Sequence, residues 1–259
     1  LESNWSYDSA SMGRSGTANI NLYTGSLVYQ HTDLAMTGNR LPITITHTYN
    51  SSQQDANDSK MLYGKGWRTN YDQRVSTVDI DGDSDIDYYQ YIDEDGTAHY
   101  FSLVNSVWTD EAGTGMTLTV ASYVVTLTDQ SNMKRVFYAY NSATKPGFLN
   151  YLEDQNGNRQ TIGYDANNRI RQLTDGAGRV VYLDRDTAGK LTQIRQAVSA
   201  SSYRTTTFTY DANAYLTRIT YPDSKYPQFI YNSTKGYIDR VEGITRDTDG
   251  DYGNKLEFA

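Results

Sequence analysis

Between Leu41 and Tyr49 the chain alternates strictly. Leu41, Ile43, Ile45, His47 and Tyr49 stand at every second position, with Thr44, Thr46 and Thr48 between the last four. Successive side chains of a strand point to opposite faces, so this pattern predicts a half-buried strand. Pro42 falls near its start, where a missing N–H is tolerated. Ile20 to Tyr29 reads as strand, turn, strand around Thr24-Gly25, and another alternating segment surrounds Tyr71 and Val75. Tyr88 to Ile92 and Ala98 to Leu103 flank Asp93-Glu94-Asp95-Gly96, a hairpin signal because Asp-Gly accepts the positive φ of a type I′ turn. Further strands are predicted at 116–120, 123–128 and 134–140, and residues 51–60 form a polar loop. No window sustains the 3.6-residue spacing of an amphipathic helix.

From about residue 146 a longer period takes over. The apolar anchors Leu149, Ile170, Leu191, Leu216 and Ile238 are separated by 21, 21, 25 and 22 residues. Each heads a short strand, as in Ile170-Arg171-Gln172-Leu173 and Leu216-Thr217-Arg218-Ile219. Tyr164, Arg185 and Tyr210 stand six residues before their anchors; Tyr231 stands seven before and Tyr140 nine. Asp154 to Gly157 and Asp175 to Gly178 supply turns at one offset, and Pro222-Asp223-Ser224 supplies a later one. A unit of this size is about one hairpin, too small to be stable alone. Stacked neighbours bury a continuous core. The expected fold is therefore all-β, built of antiparallel hairpin repeats in a continuous curved sheet, with residues 1–145 as an N-terminal β module and 146–259 as the repeat sheet.

Composition sharpens this picture. Tyr occurs 24 times, and Tyr and Thr suit pleated, half-buried surfaces, while the abundant Gly, Asn and Asp suit turns. Cys is absent, which excludes disulfides and thiolate metal sites. The net charge of −8 and a pI of 4.8 argue against a nucleic-acid partner bound by phosphate neutralisation. No apolar run has the length of a membrane-spanning helix. Residues 1–20 carry no apolar core of a signal peptide, and the abrupt ends read as those of a segment from a longer chain.

The sharpest local feature is the ladder Asp79, Asp81, Asp83, Asp85 and Asp87. In a strand these five carboxylates would share a face and repel, and Ca²⁺, which takes six to eight oxygens, would relieve that. The competing reading is a solvated acidic hairpin tip around Asp81-Gly82-Asp83. Asp247-Thr248-Asp249-Gly250-Asp251 repeats the spacing, and neither copy fits an EF-hand loop. No other cofactor is indicated. His31, His47 and His99 are far apart in sequence without metal-ligand spacing, and no G-x-S-x-G, G-x-G-x-x-G or P-loop motif occurs. His47 is read as a satisfied strand residue. A hydrolase built on an Asp/Glu pair is the weakest of the readings, and no catalytic residue is assigned. Tyr164, Tyr210 and Tyr231 read as packing residues, with a sugar-stacking platform as the alternative; Trp5, Trp67 and Trp108 are further candidate binding aromatics, Trp67 more readily as core.

Tyr164-Asp165 and Tyr210-Asp211, with Asn168-Arg169-Ile170 and Asp175 to Arg179, resemble the YD repeats of the Rhs, wall-associated-protein and teneurin superfamily. Asn21 to Val28, Leu41 to Ser51 and Gly64-Lys65-Gly66-Trp67-Arg68 are similar to the module that precedes those repeats in bacterial Rhs proteins. The resemblance implies a spiralling antiparallel sheet that wraps into a shell, which in bacterial members encloses a C-terminal toxin. It also implies a secreted or cell-surface location, the rest of a full-length chain as partner, and carbohydrate as an alternative partner. The chain departs from a full Rhs protein: about five repeats are too few to close a shell, no Asp-Pro occurs, and no toxin domain is recognisable. These features point to a non-enzymatic scaffold segment, with a carbohydrate- or surface-binding module as the alternative.

Overall fold

A computed structural model describes residues 1, 5–53, 62–244 and 254–258; the Asp247 to Asp251 motif lies outside them. Among the described residues there are 22 strands, two single turns of 3-10 helix and no α-helix, and every strand pairing is antiparallel. No helix is long and apolar enough to cross a membrane. The expected all-β, antiparallel class is the one observed.

The chain divides into two compact units. The first comprises Leu1–Ala35, Thr44–Thr69 and Val181–Ala259; the second comprises Met36–Ile43 and Asn70–Val180. In the first unit, β1 (Tyr7–Ser11), β2 (Thr17–Asn21), β3 (Leu27–Ala35), β4 (Thr44–Asn50) and β5 (Trp67–Thr69) form a five-stranded sheet in chain order. In the second, β6 (Arg74–Val78), β7 (Tyr88–Ile92), β8 (Ala98–Val104), β9 (Val107–Asp110) and β10 (Thr117–Ala121) each pair with the next, and β11 (Val124–Thr128), β12 (Lys134–Phe137), β13 (Leu149–Glu153), β14 (Arg159–Tyr164) and β15 (Ile170–Thr174) continue in the same way. The first unit also holds β16 (Val180–Arg185) from Val181 onward, β17 (Leu191–Ala197), β18 (Tyr203–Tyr210), β19 (Leu216–Thr220), β20 (Gln228–Tyr231), β21 (Ile238–Glu242) and β22 (Lys255–Glu257). These too pair consecutively.

The alternation read in the sequence places Ile45, His47 and Tyr49 on the buried face of β4. The strand starts at Thr44 rather than Leu41, because Leu41 takes a positive φ of 50° and turns the chain before it. In the second unit the Gln160 side chain holds this preceding segment. Its amide donates to the carbonyls of Leu41 and Pro42 at 3.0 and 2.8 Å, and its oxygen accepts from the Tyr71 hydroxyl at 2.8 Å. The Asp93–Thr97 turn is a hairpin, as expected, but not type I′. Only Gly96 has positive φ, and Asp93 Oδ1 accepts the N–H groups of Asp95, Gly96 and Thr97. The carboxylate thus closes a longer loop than an Asp-Gly pair alone would make.

The repeat has a structural cause that spacing alone does not show. Each anchor pairs with a residue of the preceding strand: Phe137 with Leu149, Tyr164 with Ile170, Arg185 with Leu191, Tyr210 with Leu216, and Tyr231 with Ile238. In each case the register slips at that point, leaving one extra residue after the anchor: Asn150, Arg171, Thr192, Thr217 and Asp239. A bulge of this kind resets the pleat. That is why Ile170 and Leu173, or Leu216 and Ile219, are both buried although three residues apart. Phe137, not Tyr140, fills the partner slot of the first unit of the repeat.

The Tyr hydroxyls complete the pattern by donating back to the preceding anchor. Tyr164 reaches the Leu149 carbonyl at 2.6 Å, Tyr210 that of Leu191 at 2.8 Å, and Tyr231 that of Leu216 at 2.8 Å. The Asp that follows caps the turn. Asp165 Oδ1 accepts from Asn167 and Arg169 N–H, and Asp211 Oδ1 accepts from Asn213 and Tyr215 N–H. Burial opposes ionisation of Asp165, but the Arg169 and Asn167 N–H groups and the Arg169 guanidinium outweigh it and hold the carboxyl below its ordinary range. Tyr-Asp is thus a junction between hairpins: the Tyr hydroxyl and the Asp Oδ1 bind backbone, and Asp165 Oδ2 accepts from the Arg169 guanidinium.

Candidate functional site

The acidic ladder is a loop, not a strand. It joins β6 to β7, with Gly82 and Ser84 at φ of 78° and 76°. Its carboxylates organise their own backbone. Asp79 accepts from Gly82 and Ser84 N–H, Asp81 from Asp83, Asp83 from Asp85, and Asp87 from Ile80. The loop brings Asp79, Asp81 and Asp87 together, one oxygen of each lying within 4.8 Å of the others, while Asp83 and Asp85 stand outside that group. Asp79 and Asp81 are exposed at this loop and Asp87 is half-buried.

The second cluster escaped the sequence reading. His31 on β3 and His47 on β4 are register partners, and a bulge between Thr32 and Leu34 leaves Asp33 as the extra residue, aimed inward beside them. All three side chains are fully buried. His31 Nδ1 lies 2.7 Å from Asp33 Oδ1, and His47 Nδ1 bonds Asp33 Oδ2. His31 Nε2 lies 2.6 Å from the Tyr221 hydroxyl, which itself donates to the Arg14 carbonyl at 2.7 Å. Asp33 thus offers one oxygen to each histidine, and the Tyr221 hydroxyl joins His31 to the Arg14 backbone. Burial pushes Asp33 toward neutrality, and the charges and hydrogen bonds of His47 and His31 reverse this, so its pKa lies below the ordinary value of 3.8.

His47 Nε2 has no hydrogen-bond partner. It sits among the rings of Tyr63, Trp67 and Phe208, with centroids 5.5, 6.1 and 5.0 Å from its own. With no solvent exposure the cluster cannot touch a substrate, and its arrangement is that of a support. A trace was visible in the sequence: His-x-Asp places two polar groups on one face of a strand, two residues apart, opposite a strand whose matching face carries another His. His99 is separate, in the second unit, and pairs with Asp93 at 2.9 Å.

The candidate aromatics divide. Trp67 is buried and its indole N–H donates to the Tyr231 hydroxyl at 2.8 Å, as the core reading expected. Gly64 makes room for this corner: its φ is 98°, and a Cβ there would lie 3.1 Å from Leu216 Cβ. Trp108 packs edge-on to Tyr89, and Trp5 is exposed and stacked on the exposed Tyr23 at 5.0 Å.

Residues 17–101 match the model of a domain of unknown function, DUF6531. The chain is similar to two curated proteins, the tRNA nuclease WapA of Bacillus subtilis and the tRNA3(Ser)-specific nuclease WapA of Bacillus spizizenii. Each is 28% identical across 92% of this chain, which spans 12% of the relative's length. Among solved structures, TcdB2-TccC3 without its hypervariable C-terminal region aligns over 98% of this chain and 16% of its own, at 11% identity and a TM-score of 0.35. The Photorhabdus luminescens Tc holotoxin pore aligns over the same shares at 10% identity and a TM-score of 0.36.

Proposed function

We propose that this chain is a non-enzymatic scaffold segment of an exported YD-repeat protein of the Rhs type, supplying hairpin sheet to a shell around a C-terminal toxin. The observation that carries the reading is the repeated junction: a bulge after each anchor, with the Tyr hydroxyl of three units tied to the preceding anchor's carbonyl. Such a device adds one hairpin to the next at a constant register, which is what a wall needs and what a catalytic centre does not. The similarity to two WapA proteins across 92% of this chain supports a place in a protein of that kind. Their nuclease names describe proteins of which this chain spans 12%, so nuclease activity is not carried over.

The test compares the full-length gene product with a form lacking these residues. A shell segment protects the downstream region from protease, and its loss exposes that region. Unchanged protection, or cleavage of tRNA by this chain alone, rejects the reading.

A further inference from the structure

The first unit contains a cavity of about 670 Å³ where β3 and β4 diverge from β17 and β18. This is the size of an ordinary ligand site. Its wall is polar, with Gln30, Thr32 and Thr46 on one sheet and Gln196, Arg204 and Thr206 on the other. Two cations line it, Arg14 and Arg204, in a chain of net charge −8. The one acidic residue in the lining, Asp33, has both oxygens on the histidines behind the wall. Arg14 is partly neutralised by Asp223 at 2.6 Å, whereas exposed Arg204 has no carboxylate partner among the described residues.

The buried cluster supports this wall. The Arg14 guanidinium lies 3.9 Å above the Tyr221 ring, and the Tyr221 hydroxyl holds the Arg14 carbonyl. The Tyr221 hydroxyl is in turn bonded to His31, whose ring lies nearly parallel to its own, and Asp33 holds His31. The chain of contacts runs from the buried Asp33–His31 contact to a cation at the cavity, which fixes a binding group through the shell behind it.

We propose that this cavity binds a short acidic peptide segment, with Arg204 and Arg14 meeting its carboxylates. Guanidinium–carboxylate bonds are charge-assisted and directional. The Gln30 and Gln196 amides each offer a donor and an acceptor, the groups that peptide N–H and C=O require. Tyr221 offers no free sugar platform, because the Arg14 guanidinium lies 3.9 Å over its ring and its hydroxyl is bonded to His31 and to the Arg14 carbonyl. The proposal goes beyond the scaffold reading and stands without it.

The experiment is fluorescence anisotropy on the 259-residue chain with labelled pentaglutamate, pentaglutamine and pentalysine. Pentaglutamate binds, the other two do not, and Arg204→Gln weakens binding about tenfold, with Arg204→Lys recovering part of it. Arg204 is exposed, so the variants retain the wild-type melting temperature. Gln196→Ala serves as a second variant and also weakens binding. The proposal fails if pentaglutamate does not bind, if Arg204→Gln binds it as the wild type does, or if inorganic phosphate competes as well as free glutamate peptide at equal concentration.

Discussion

His31 and His47 face each other across β3 and β4 and share the single carboxylate of Asp33, which a bulge places between them. The pair is fully enclosed, so what it does, it does through packing and charge. Its consequences are measurable.

Asp33→Asn removes the carboxylate that the two buried histidines share. Breaking a buried pair in this way costs about 3–5 kcal/mol, and chemical denaturation should show a loss of that size. The pH profile carries a second signature. Because the folded pKa of Asp33 is depressed, its stabilisation is present above the unfolded value and is lost as pH falls through the folded one. The wild type therefore has an acid limb below about pH 4 that Asp33→Asn lacks.

Removing the Tyr hydroxyls tests the junctions. Tyr164→Phe and Tyr210→Phe each delete one bond to an anchor carbonyl, at about 1 kcal/mol apiece. Tyr231→Phe should cost more, roughly 2–3 kcal/mol, because it also strands the buried indole N–H of Trp67. Equal losses at all three positions would contradict the geometry.

His99 gives the opposite pH dependence. Its hydrogen bond to Asp93 raises its pKa above 6.5, burial opposes this, and the charges of Asp93, Asp110 and Asp95 add to the rise. The pair's stabilisation is complete below the unfolded pKa and fades as pH rises through the folded one. From about pH 6.5 upward the wild type should lose stability that His99→Gln does not lose.

The acidic loop offers a cation test. If Asp79, Asp81 and Asp87 act together, millimolar Ca²⁺ raises the melting temperature, Mg²⁺ does not, and Asp87→Asn abolishes the effect. Absence of any shift, with no heat on titration, leaves the loop as a turn capped by its own carboxylates.

Much of this architecture is legible in one dimension because its causes are local. Alternation puts Ile45, His47 and Tyr49 on one face; Asp154 and Asp175 close their turns through N–H groups no more than four residues away. Anchor spacing shows the repeat. What the sequence by itself determined is therefore strand content, the turns and the period. The tertiary structure decided the bulge after every anchor, since only pairing with the previous strand shows which residue is extra. It decided that the Tyr hydroxyls face backward to a carbonyl. It decided above all the His31–Asp33–His47 cluster, where Tyr221 arrives from 190 residues away. Periodicity reports which face a side chain takes, whereas its partner across a core depends on how distant strands dock, and no local pattern encodes that.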